Sequence, residues 1–278
     1  MLLQLKLLKN VLNDLKINNT IEDNNGNLLK MIVGDKCHYF INSQTPFNSQ
    51  DVVAITKDKE FTYCILKSLI NSPITKGYLD PACNERYSQY LEFNNLESII
   101  AHIENNFKMP VILKPNKGAR GIGVTLCTNS EEIGKALKAI YDEKSKEYDY
   151  IALCQEYINI KKEYRVVCVN KKVELVYLKD NSSATYTGNL SPLHWENSQA
   201  VHIQDSTILN RFQEFINPVF KNLNIFWCGF DIALDHNNEL HLIEINSNIG
   251  LNIFISQNNP TIIENLYKTA IKEFLKIT

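Results

Sequence analysis

The sequence predicts an α+β protein, because helical patterns stand at both ends of the chain and paired strand patterns stand between them. The first helix is marked by leucines at helical spacing, namely Leu5, Leu8, Leu12 and Leu15. The last helix opens at Pro260, a residue that suits the first turn of a helix. Two hairpin patterns, at residues 164–178 and 225–246, place β-branched and aromatic runs on either side of polar turns.

Composition excludes several classes of protein. The chain of 278 residues has a formal charge of −2 and 44% hydrophobic residues, which indicates a soluble globular protein without the basic excess of a nucleic-acid binder. No apolar run reaches the ~20 residues of a membrane span. The cysteines are odd in number and include no C-x-x-C pair, which favours a reducing, cytoplasmic location and argues against structural zinc. The composition is compatible with either a monomer or an oligomer.

The chain before the first motif is short. Residues 1–55 combine the leucine-rich helix with strand patterns at 28–33 and 38–41, which predicts a small α/β region. A helix is predicted over residues 56–69 and another over residues 94–107. The expected buried stripe of the earlier helix is Phe61, Ile65, Leu66 and Leu69.

A glycine-rich segment joins two strand patterns, at residues 109–116 and 123–127. Its glycines are Gly118, Gly121 and Gly123. This is neither a Walker A loop nor a dinucleotide fingerprint, because no Lys-Ser/Thr pair follows the last glycine and a strand follows in place of a helix. Glycines let backbone N–H groups approach a phosphate, and Lys114, Lys117 and Arg120 add positive charge. The segment indicates a phosphate-binding loop, and the alternative is a flexible surface loop.

The first hairpin carries a second group of charges. A three-residue turn at residues 170–172 would set Glu163 opposite Lys179. The same register sets Arg165 opposite Tyr177 on that face. An ordinary surface ion pair, worth under about 1 kcal/mol, is the alternative.

A polar stretch without periodicity follows over residues 180–203. Loops of this length are uncommon unless they are lids or binding loops. His194 and Trp195 are its most distinctive side chains, and Trp195 either helps to cover a substrate or anchors the loop to the core. The histidines His194, His236 and His241 are expected in loops or at the surface, without a catalytic role.

The second hairpin brings two carboxylates together. A two-residue turn at Asn237-Asn238 would set Leu234 opposite His241. On that register Asp231 lies opposite Glu244, at the end of the hairpin away from the turn. Like charges at this spacing repel each other, and no Lys or Arg occurs between residues 225 and 257 to neutralise them.

A divalent cation would relieve this repulsion. Side chains alternate along a strand, so four residues should share the face of the acidic pair, namely Leu240, Leu242, Glu244 and Asn246. Carboxylate and amide oxygens suit Mg²⁺. The plainer interpretation is an exposed acidic strand end.

Four segments of the chain are distinctive when taken together, namely KDKEFTYCIL (57–66), VILKPNKGARGIGV (111–124), QEYI with EYRVVCV (155–169), and GFDI with LHLIEINSNIGL (229–251). In this order they resemble the ATP-grasp superfamily of carboxylate–amine ligases, which includes cyanophycin synthetase, glutathione synthetase and ribosomal-protein glutamate ligase. The first is similar to the D-K-x-x-T helix of the superfamily, and the last carries its D…E-x-N pattern. The resemblance covers about residues 56 to 278.

The resemblance implies an ATP-grasp fold, in which two α+β lobes hold a nucleotide between them. It implies a helical segment and small lobe over residues 56–156, and a C-terminal lobe with the metal site over residues 157–278. Lys114 would contact the nucleotide and its α-phosphate. The loop that covers the β- and γ-phosphates would comprise Lys117, Gly118, Arg120, Gly121 and Gly123. The adenine hinge, which binds through its backbone, would comprise Gln155, Glu156, Tyr157 and Ile158.

Further roles are implied for the two hairpins. Glu163 would take the ribose hydroxyls, and Arg165 and Lys179 would reach the terminal phosphate or the acyl phosphate. Two Mg²⁺ ions, for which Mn²⁺ is a possible substitute, would be held by Asp231, Glu244 and Asn246.

The function implied is ATP-dependent joining of a carboxylate to an amine, on an amino acid or a peptide, through an acyl phosphate and with release of ADP and phosphate. The alternative is a nucleotide-binding module that regulates or scaffolds without turnover. Many superfamily members carry a basic residue just ahead of the metal-binding Asp, whereas Gly229 and Phe230 occupy those places here. That difference and the short N-terminal region would favour the alternative.

Overall fold

The computed structural model describes residues 1–277, in which helices and antiparallel strands form two lobes. Its eight α-helices are α1 (Leu3–Asp14), α2 (Gln50–Lys57), α3 (Lys59–Leu66), α4 (Leu96–Asn106), α5 (Ser130–Ile140), α6 (Ser206–Ile216), α7 (Asn252–Gln257) and α8 (Thr261–Phe274). Short 3-10 helices cover Glu85–Tyr90, Pro192–His194 and Asn217–Lys221. None of the helices within residues 1–277 has the length and apolarity needed to cross a bilayer. The prediction of an α+β fold is confirmed.

Three antiparallel sheets are built from the strands of the described chain. The strands are β1 (Asn19–Ile21), β2 (Leu28–Val33), β3 (Lys36–Ile41), β4 (Thr75–Leu79), β5 (Val111–Pro115), β6 (Thr125–Cys127), β7 (Ile151–Glu156), β8 (Ile160–Val169), β9 (Lys172–Asp180), β10 (Gln199–Ile203), β11 (Trp227–Asp235) and β12 (Leu240–Asn246). Their orders are β1-β2-β3, β4-β7-β5-β6 and β10-β9-β8-β11-β12.

The small lobe consists of the four-stranded sheet with α4 and α5. Helix α5 starts where the Asn129 side chain accepts a hydrogen bond from the backbone N–H of Glu132, at 3.0 Å. Its residues Ile133 and Leu137 are spaced for one helix face and are fully buried against the sheet. The connection between β5 and β6 is the glycine-rich loop, so this lobe presents the loop at the end of its sheet.

The large lobe is centred on the five-stranded sheet, and apolar residues line both faces of that sheet. Val167 and Val169 pack with α1, α7 and α8, whereas the alternate residues Val166 and Cys168 pack with α6. Strand β11 lies between β8 and β12 and is buried along its whole length. Polar side chains on this strand are therefore held rigidly between two neighbours.

The N-terminal region packs on the large lobe and has no separate core within the described residues. Helix α1 packs against α8, and Phe40 and Phe47 of the region lie in the same apolar cluster as Trp227 and Phe274. The ring centroid of Phe47 is 5.1 Å from that of Phe274 and 5.8 Å from that of Trp227. Asn48 adds polar contacts, because its side chain accepts hydrogen bonds from the backbone N–H groups of Phe226 and Trp227.

The acidic hairpin has the predicted pairing at one end and a different pairing at the other. Asp231 is opposite Glu244, as predicted, but Leu234 is opposite Leu240 and not His241. The turn is therefore one residue longer than expected. A β-bulge at Ile243 places one extra residue on β12, and this restores the pairing of Asp231 with Glu244.

The bulge also changes which side chains share a face. The expectation that Leu240 and Leu242 share a face with Glu244 is wrong. Both leucines lie in the apolar core with Ile245, whereas Glu244 faces the cleft between the lobes. An extra residue in a strand reverses which side chains point to which face of the sheet. Because of the bulge, the Glu244 carboxylate points away from the face on which Leu240 and Leu242 are buried.

Two further expectations differ from the structure. The predicted helix over residues 56–69 is two helices, α2 and α3, because Asp58 is extended and caps α3 by accepting a hydrogen bond from Phe61 N at 3.0 Å. Because a new helix begins after Asp58, the residues of α3 face other directions than those expected from one continuous helix. Phe61 is 56% exposed, so the prediction that it is buried is wrong. The stretch predicted as aperiodic over residues 180–203 ends in β10, an edge strand paired with β9.

The shared core predicts the effect of a substitution in the N-terminal region. Phe47→Ala should lower the free energy of unfolding of the whole protein by about 3–5 kcal/mol, as for other buried Phe→Ala changes. Urea unfolding followed by circular dichroism measures it, and Phe61→Ala, at an exposed ring, is the matched control with an expected change under about 1 kcal/mol. Equal unfolding curves for Phe47→Ala and the parent would mean that residues 1–55 fold separately.

Candidate functional site

A cleft of about 1070 Å³ lies between the two lobes. The small lobe contributes β5, the glycine-rich loop and the end of β7, and the large lobe contributes β8, β9, β11 and β12. Residues 181–198, which connect β9 to β10 and are here called the lid, line another side. The volume suits a large ligand with a second, smaller one.

The glycine-rich loop presents most of its predicted residues to the cleft. Gly118, Arg120 and Gly121 line it. Arg120 and Gly121 have φ values of +59° and +69°, a conformation that glycine adopts without strain. Gly123 also has a positive φ of +72° and packs beneath the loop, where an added Cβ would lie 3.0 Å from Pro115 Cγ.

Lys117 is placed differently from the other predicted loop residues. Its backbone N–H donates to Asp149 Oδ2 at 2.6 Å, and its Nζ donates to the Tyr150 hydroxyl at 3.0 Å. The ammonium also lies over the Tyr150 ring. The side chain is thus held on the outer side of the small lobe and is not among the residues that line the cleft.

Lys114 is buried at the floor of the cleft beside the hinge. Its Nζ donates to Gln155 Oε1 at 2.8 Å, and Gln155 Nε2 donates to Thr75 Oγ1 at 2.9 Å. Burial lowers the pKa of Lys114 to about 8, although the nearby carboxylate of Glu244 acts in the opposite direction. Among the described residues, this buried ammonium has a neutral amide as its direct partner, which suits it to an anion.

The predicted hinge is the end of β7 and the residues after it. Glu156 is tied to the neighbouring segment, because its backbone N–H donates to Ile74 O at 2.8 Å and its carboxylate accepts from Ile74 N at 3.2 Å. Tyr157 and Ile158 follow the end of the strand and line the cleft outside the sheet. Their backbone is the part of the hinge best placed to meet a planar ligand.

A buried ion cluster joins three neighbouring strands. Arg165 on β8 holds Asp231 on β11 with two bonds, from Nε to Oδ1 at 2.6 Å and from Nη2 to Oδ2 at 3.0 Å. Lys179 on β9 lies 2.8 Å from Asp231 Oδ1 and also contacts Glu163. The predicted pairing of Arg165 with Tyr177 is confirmed. The expected contact of Glu163 with Lys179 forms, and since these side chains are only 12% and 3% exposed, it is no ordinary surface ion pair.

The charges in this cluster change one another's pKa. Burial alone would raise the pKa of Asp231, but Arg165 and Lys179 outweigh it and hold the pKa below its usual range. Burial dominates at Glu163, whose pKa is raised although Lys179 opposes the shift. Burial would lower the pKa of Lys179, yet its two carboxylate partners raise it. Lys179 therefore stays charged at neutral pH.

The three predicted metal ligands meet at one place. Asp231 and Glu244 are directly opposite each other, and Asn246 Nδ2 lies 3.4 Å from Asp231 Oδ2. These oxygen ligands fit Mg²⁺ in their chemistry. Both oxygens of Asp231 already accept from cationic side chains, so an ion there would share or displace those contacts.

The guanidinium beside Asp231 comes from the neighbouring strand. Gly229 and Phe230 precede Asp231 on β11, where the resemblance leads one to expect a basic residue. Arg165 is directly opposite Asp231 on β8 and reaches the same carboxylate. A positive charge therefore stands at this point although β11 does not supply it.

Lys59 is a cleft residue that the sequence reasoning missed. Its Nζ donates to Asn116 O at 3.2 Å and to Gly118 O at 2.5 Å, and lies 3.7 Å from Glu244 Oε2. It thereby connects the glycine-rich loop to the acidic strand. Lys59 is the lysine of the D-K-x-x-T motif. That motif indicated the family but not a place for this lysine in the cleft.

The lid is attached to both lobes. Pro192 is buried and Leu193 packs against the core of the large lobe, whereas Asn189 Nδ2 donates to Arg120 O at 2.9 Å. Trp195 lines the cleft, and its indole N–H donates to the Asn189 carbonyl within the lid itself. Trp195 thus forms a hydrogen bond within the lid and lies at the wall of the cleft.

Two predictions about histidines have different outcomes. His194 lies on the lid and lines the cleft. His241 is buried, contrary to prediction, because its ring nitrogens lie 3.2 Å from Asp235 Oδ2 and 3.2 Å from Asn71 Nδ2. Asp235 also accepts from the backbone of the turn, so this group serves the hairpin.

A match to a protein-family model identifies the family of this chain. A model of the RimK-like ATP-grasp domain matches residues 84–266, which include the glycine-rich loop, the hinge and the ion cluster. The chain belongs to the RimK-like ATP-grasp family. The resemblance found in the sequence is confirmed.

Solved structures agree on the fold of this ATP-grasp protein. Bifunctional glutathione synthetase from Pasteurella multocida is 17% identical with a TM-score of 0.53, over 96% of this chain and 43% of that one. The D-alanine–D-alanine ligase of Bacillus anthracis is 14% identical with a TM-score of 0.56, over 82% and 69%. The ATP-grasp ligase PsnB, complexed with minimal precursor, Mg and ADP, is 15% identical with a TM-score of 0.53, over 82% and 62%. The predicted ATP-grasp fold is confirmed.

Curated relatives of this ATP-grasp chain are uncharacterized proteins of mycoplasmas. The one from Mycoplasma genitalium is 28% identical over 159 residues, which are 56% of this chain and 50% of the relative. Its Mycoplasma pneumoniae homologue is 26% identical over 170 residues, which are 60% and 53%. The chain spans about half the length of these relatives.

The lowered pKa of Lys114 predicts how nucleotide affinity depends on pH. ATP affinity should fall as the pH rises through about 8, because the neutral amine offers no charge to a phosphate. Binding near pH 9 should take up a proton, since the phosphate restores the charged form. Calorimetry in two buffers of different ionisation enthalpy measures that uptake.

The matched control for this pH dependence is Lys114→Arg. A guanidinium stays charged throughout this range, so proton uptake and the pH slope should both disappear. If the slope persists in Lys114→Arg, another group titrates on binding.

Proposed function

We propose that this ATP-grasp protein uses ATP to activate a carboxylate and joins it to an amine, with release of ADP and phosphate. The observation that carries the proposal is the buried cluster of Arg165, Lys179 and Asp231, which lies with Glu244 in the same cleft as a glycine-rich loop. Cations and carboxylates concentrated at one point suit the transfer of a phosphoryl group. Membership of the family supports ATP as the nucleotide.

Nucleotide binding is assigned to the small lobe and the hinge. Adenine would meet the backbone after β7 at Tyr157 and Ile158, between apolar walls that include Ile243. Lys114 would contact the α-phosphate, and the loop at Gly118–Gly121 would cover the β- and γ-phosphates with its backbone N–H groups. Glu163 would accept from the ribose while keeping its contact with Lys179.

Asp231, Glu244 and Asn246 are the residues that would hold Mg²⁺. The ion would supply positive charge to the phosphate oxygens of ATP. Such an ion would compete for the oxygens of Asp231, so Arg165 and Lys179 would turn part of their hydrogen bonding toward phosphate. The proposal includes two Mg²⁺ ions at this site, with Mn²⁺ as a substitute.

The reaction proceeds in two displacements. A carboxylate oxygen of the substrate attacks the γ-phosphorus, the bond to the β–γ bridging oxygen breaks, and ADP leaves with the electron pair. The amine then attacks the acyl carbon, the bond from carbon to the phosphate oxygen breaks, and phosphate leaves and takes up the amine proton. Arg165 and Lys179 offset the charge that spreads over the transferred phosphoryl oxygens, so no protein nucleophile is needed.

The lid is assigned to the second substrate. It begins directly after β9, which carries Lys179, and it lines the cleft through Asn189, His194 and Trp195. An acyl phosphate is lost if water reaches it, so a cover over this point favours ligation. Amino acids and short peptides are the acceptors proposed for this space.

The proposal predicts ADP release that depends on an acceptor and on Glu244. Pools of amino acids and short peptides, supplied with ATP and Mg²⁺, should include one that stimulates ADP release. Glu244→Gln removes a ligand charge and should lower that release by at least about 100-fold while the fold stays intact. A coupled spectrophotometric assay measures ADP.

The matched control is Glu239→Gln, at an exposed carboxylate on the turn of the same hairpin. It should release ADP like the parent. Turnover by Glu244→Gln at the parental rate would refute the metal assignment. ATP binding without ADP release from any pool would favour a module that binds nucleotide without turnover.

The lid assignment predicts a loss of coupling in Trp195→Ala. Loss of the indole N–H and of the Tyr186 contact should loosen the lid. ATP affinity should stay within about twofold of the parent, while the ratio of ADP formed to ligated product rises by about twofold or more. Tyr90→Ala, at a ring that is 68% exposed and outside the cleft, is the control. A normal ratio with a lower melting temperature would assign Trp195 a purely structural role.

A further inference from the structure

Gly229 occupies a position at which the backbone does not require glycine. It lies in the interior of β11, two residues before Asp231 and therefore on the same face, and pairs with Val167 of β8 and Asn246 of β12. Its φ is not among the positive values of the chain. Glycine in the interior of a strand weakens the strand. Since the backbone conformation does not explain Gly229, the explanation lies in the space that a larger side chain would need.

The space that a side chain would take is occupied by Arg165. A Cβ added to Gly229 would lie 2.8 Å from Arg165 Cδ and 3.2 Å from its Nη1. The third neighbour, Ile249 Cγ2, would be 3.4 Å away, an ordinary contact. The Arg165 side chain thus lies flat across Gly229 on its way to Asp231.

This crossing determines where the guanidinium stands. Arg165 reaches Asp231 through Nε and Nη2, and bidentate geometry of this kind fails when the group turns or shifts. The side chain is 13% exposed, so it has little room to take another path. Any residue larger than glycine would lift Arg165 and break at least one of the two contacts.

We propose that Gly229 is a positioning residue that seats the Arg165 guanidinium against Asp231 and so places positive charge at the reacting phosphate. This proposal rests on the proposed ligase function for its link to phosphate. The seating itself is a property of the fold. Gly229 on β11 leaves room for a side chain, and the Arg165 side chain from β8 occupies that room.

Gly229→Ala tests the proposal through a double-mutant cycle with Arg165→Ala. In the parent, Gly229→Ala should lower kcat for ADP formation by about tenfold or more and leave KM for ATP within about twofold, because Lys114 and the hinge are untouched. In the Arg165→Ala background, the same change at Gly229 should alter kcat by less than about twofold. An equal loss in both backgrounds would overturn the proposal.

Two additions keep the test decisive if a variant folds poorly. Arg165→Ser provides a second background without the long side chain. Gly134→Ala is the matched glycine control, because a Cβ there would meet only Ile100 Cδ1, at 3.4 Å in the small lobe. It should leave kcat and KM unchanged.

Thermal unfolding separates failure of this proposal from failure of the proposed function. If the parent releases no ADP with any acceptor, the ligase function fails, but the seating of Arg165 is still measurable. Gly229→Ala should lower the melting temperature by a few degrees in the parent, and should leave it unchanged or raise it in Arg165→Ala. A crystal structure of Gly229→Ala that keeps both contacts of Arg165 with Asp231 would also overturn the proposal.

Discussion

The buried carboxylate of Asp231 is the constraint on which the arrangement of the cleft depends. Removing a charge from water costs several kcal/mol, so this group stays ionised only because Arg165 and Lys179 hold it. Those cations stand on β8 and β9, and the pairing therefore ties three neighbouring strands to one another at the floor of the cleft. The same contacts that satisfy Asp231 keep two cations ready at one point.

The two buried lysines of the cleft differ because their partners differ. Lys179 lies between the carboxylates of Asp231 and Glu163, which raise its pKa, whereas Lys114 faces the neutral amide of Gln155 and has a lowered pKa. Lys179 is in direct contact with its carboxylates, whereas among the described residues the carboxylates that act on Lys114, Glu244 first, do so from a distance. An incoming anion therefore gains most at Lys114, next to the hinge, and this difference separates the binding part of the cleft from the part where charge is transferred.

Much of the fold was predictable because hairpin patterns and helical periodicity are local. The pairing of Asp231 with Glu244 was predicted from a two-residue turn, but the structure reaches it through a longer turn and a compensating bulge at Ile243. The bulge leaves no local signal, because it depends on the packing of Leu240 and Leu242 in the core. The exposure of Phe61 was missed because the cap at Asp58 restarts the helix. Contacts between distant segments, such as those of Lys59 and of the lid, leave no periodic signal.

The family match and the apolar cluster that includes α1 and α8 cover different pieces of the chain. The match begins at residue 84 and ends at residue 266, inside α8, whereas the aromatic cluster beneath the large lobe joins Phe47 to Phe274. A fragment cut at the limits of the match would expose that cluster as a broad apolar surface, which promotes aggregation. The family match includes the glycine-rich loop, the hinge and the ion cluster, whereas α1 and the end of α8, which cover the apolar cluster, lie outside it.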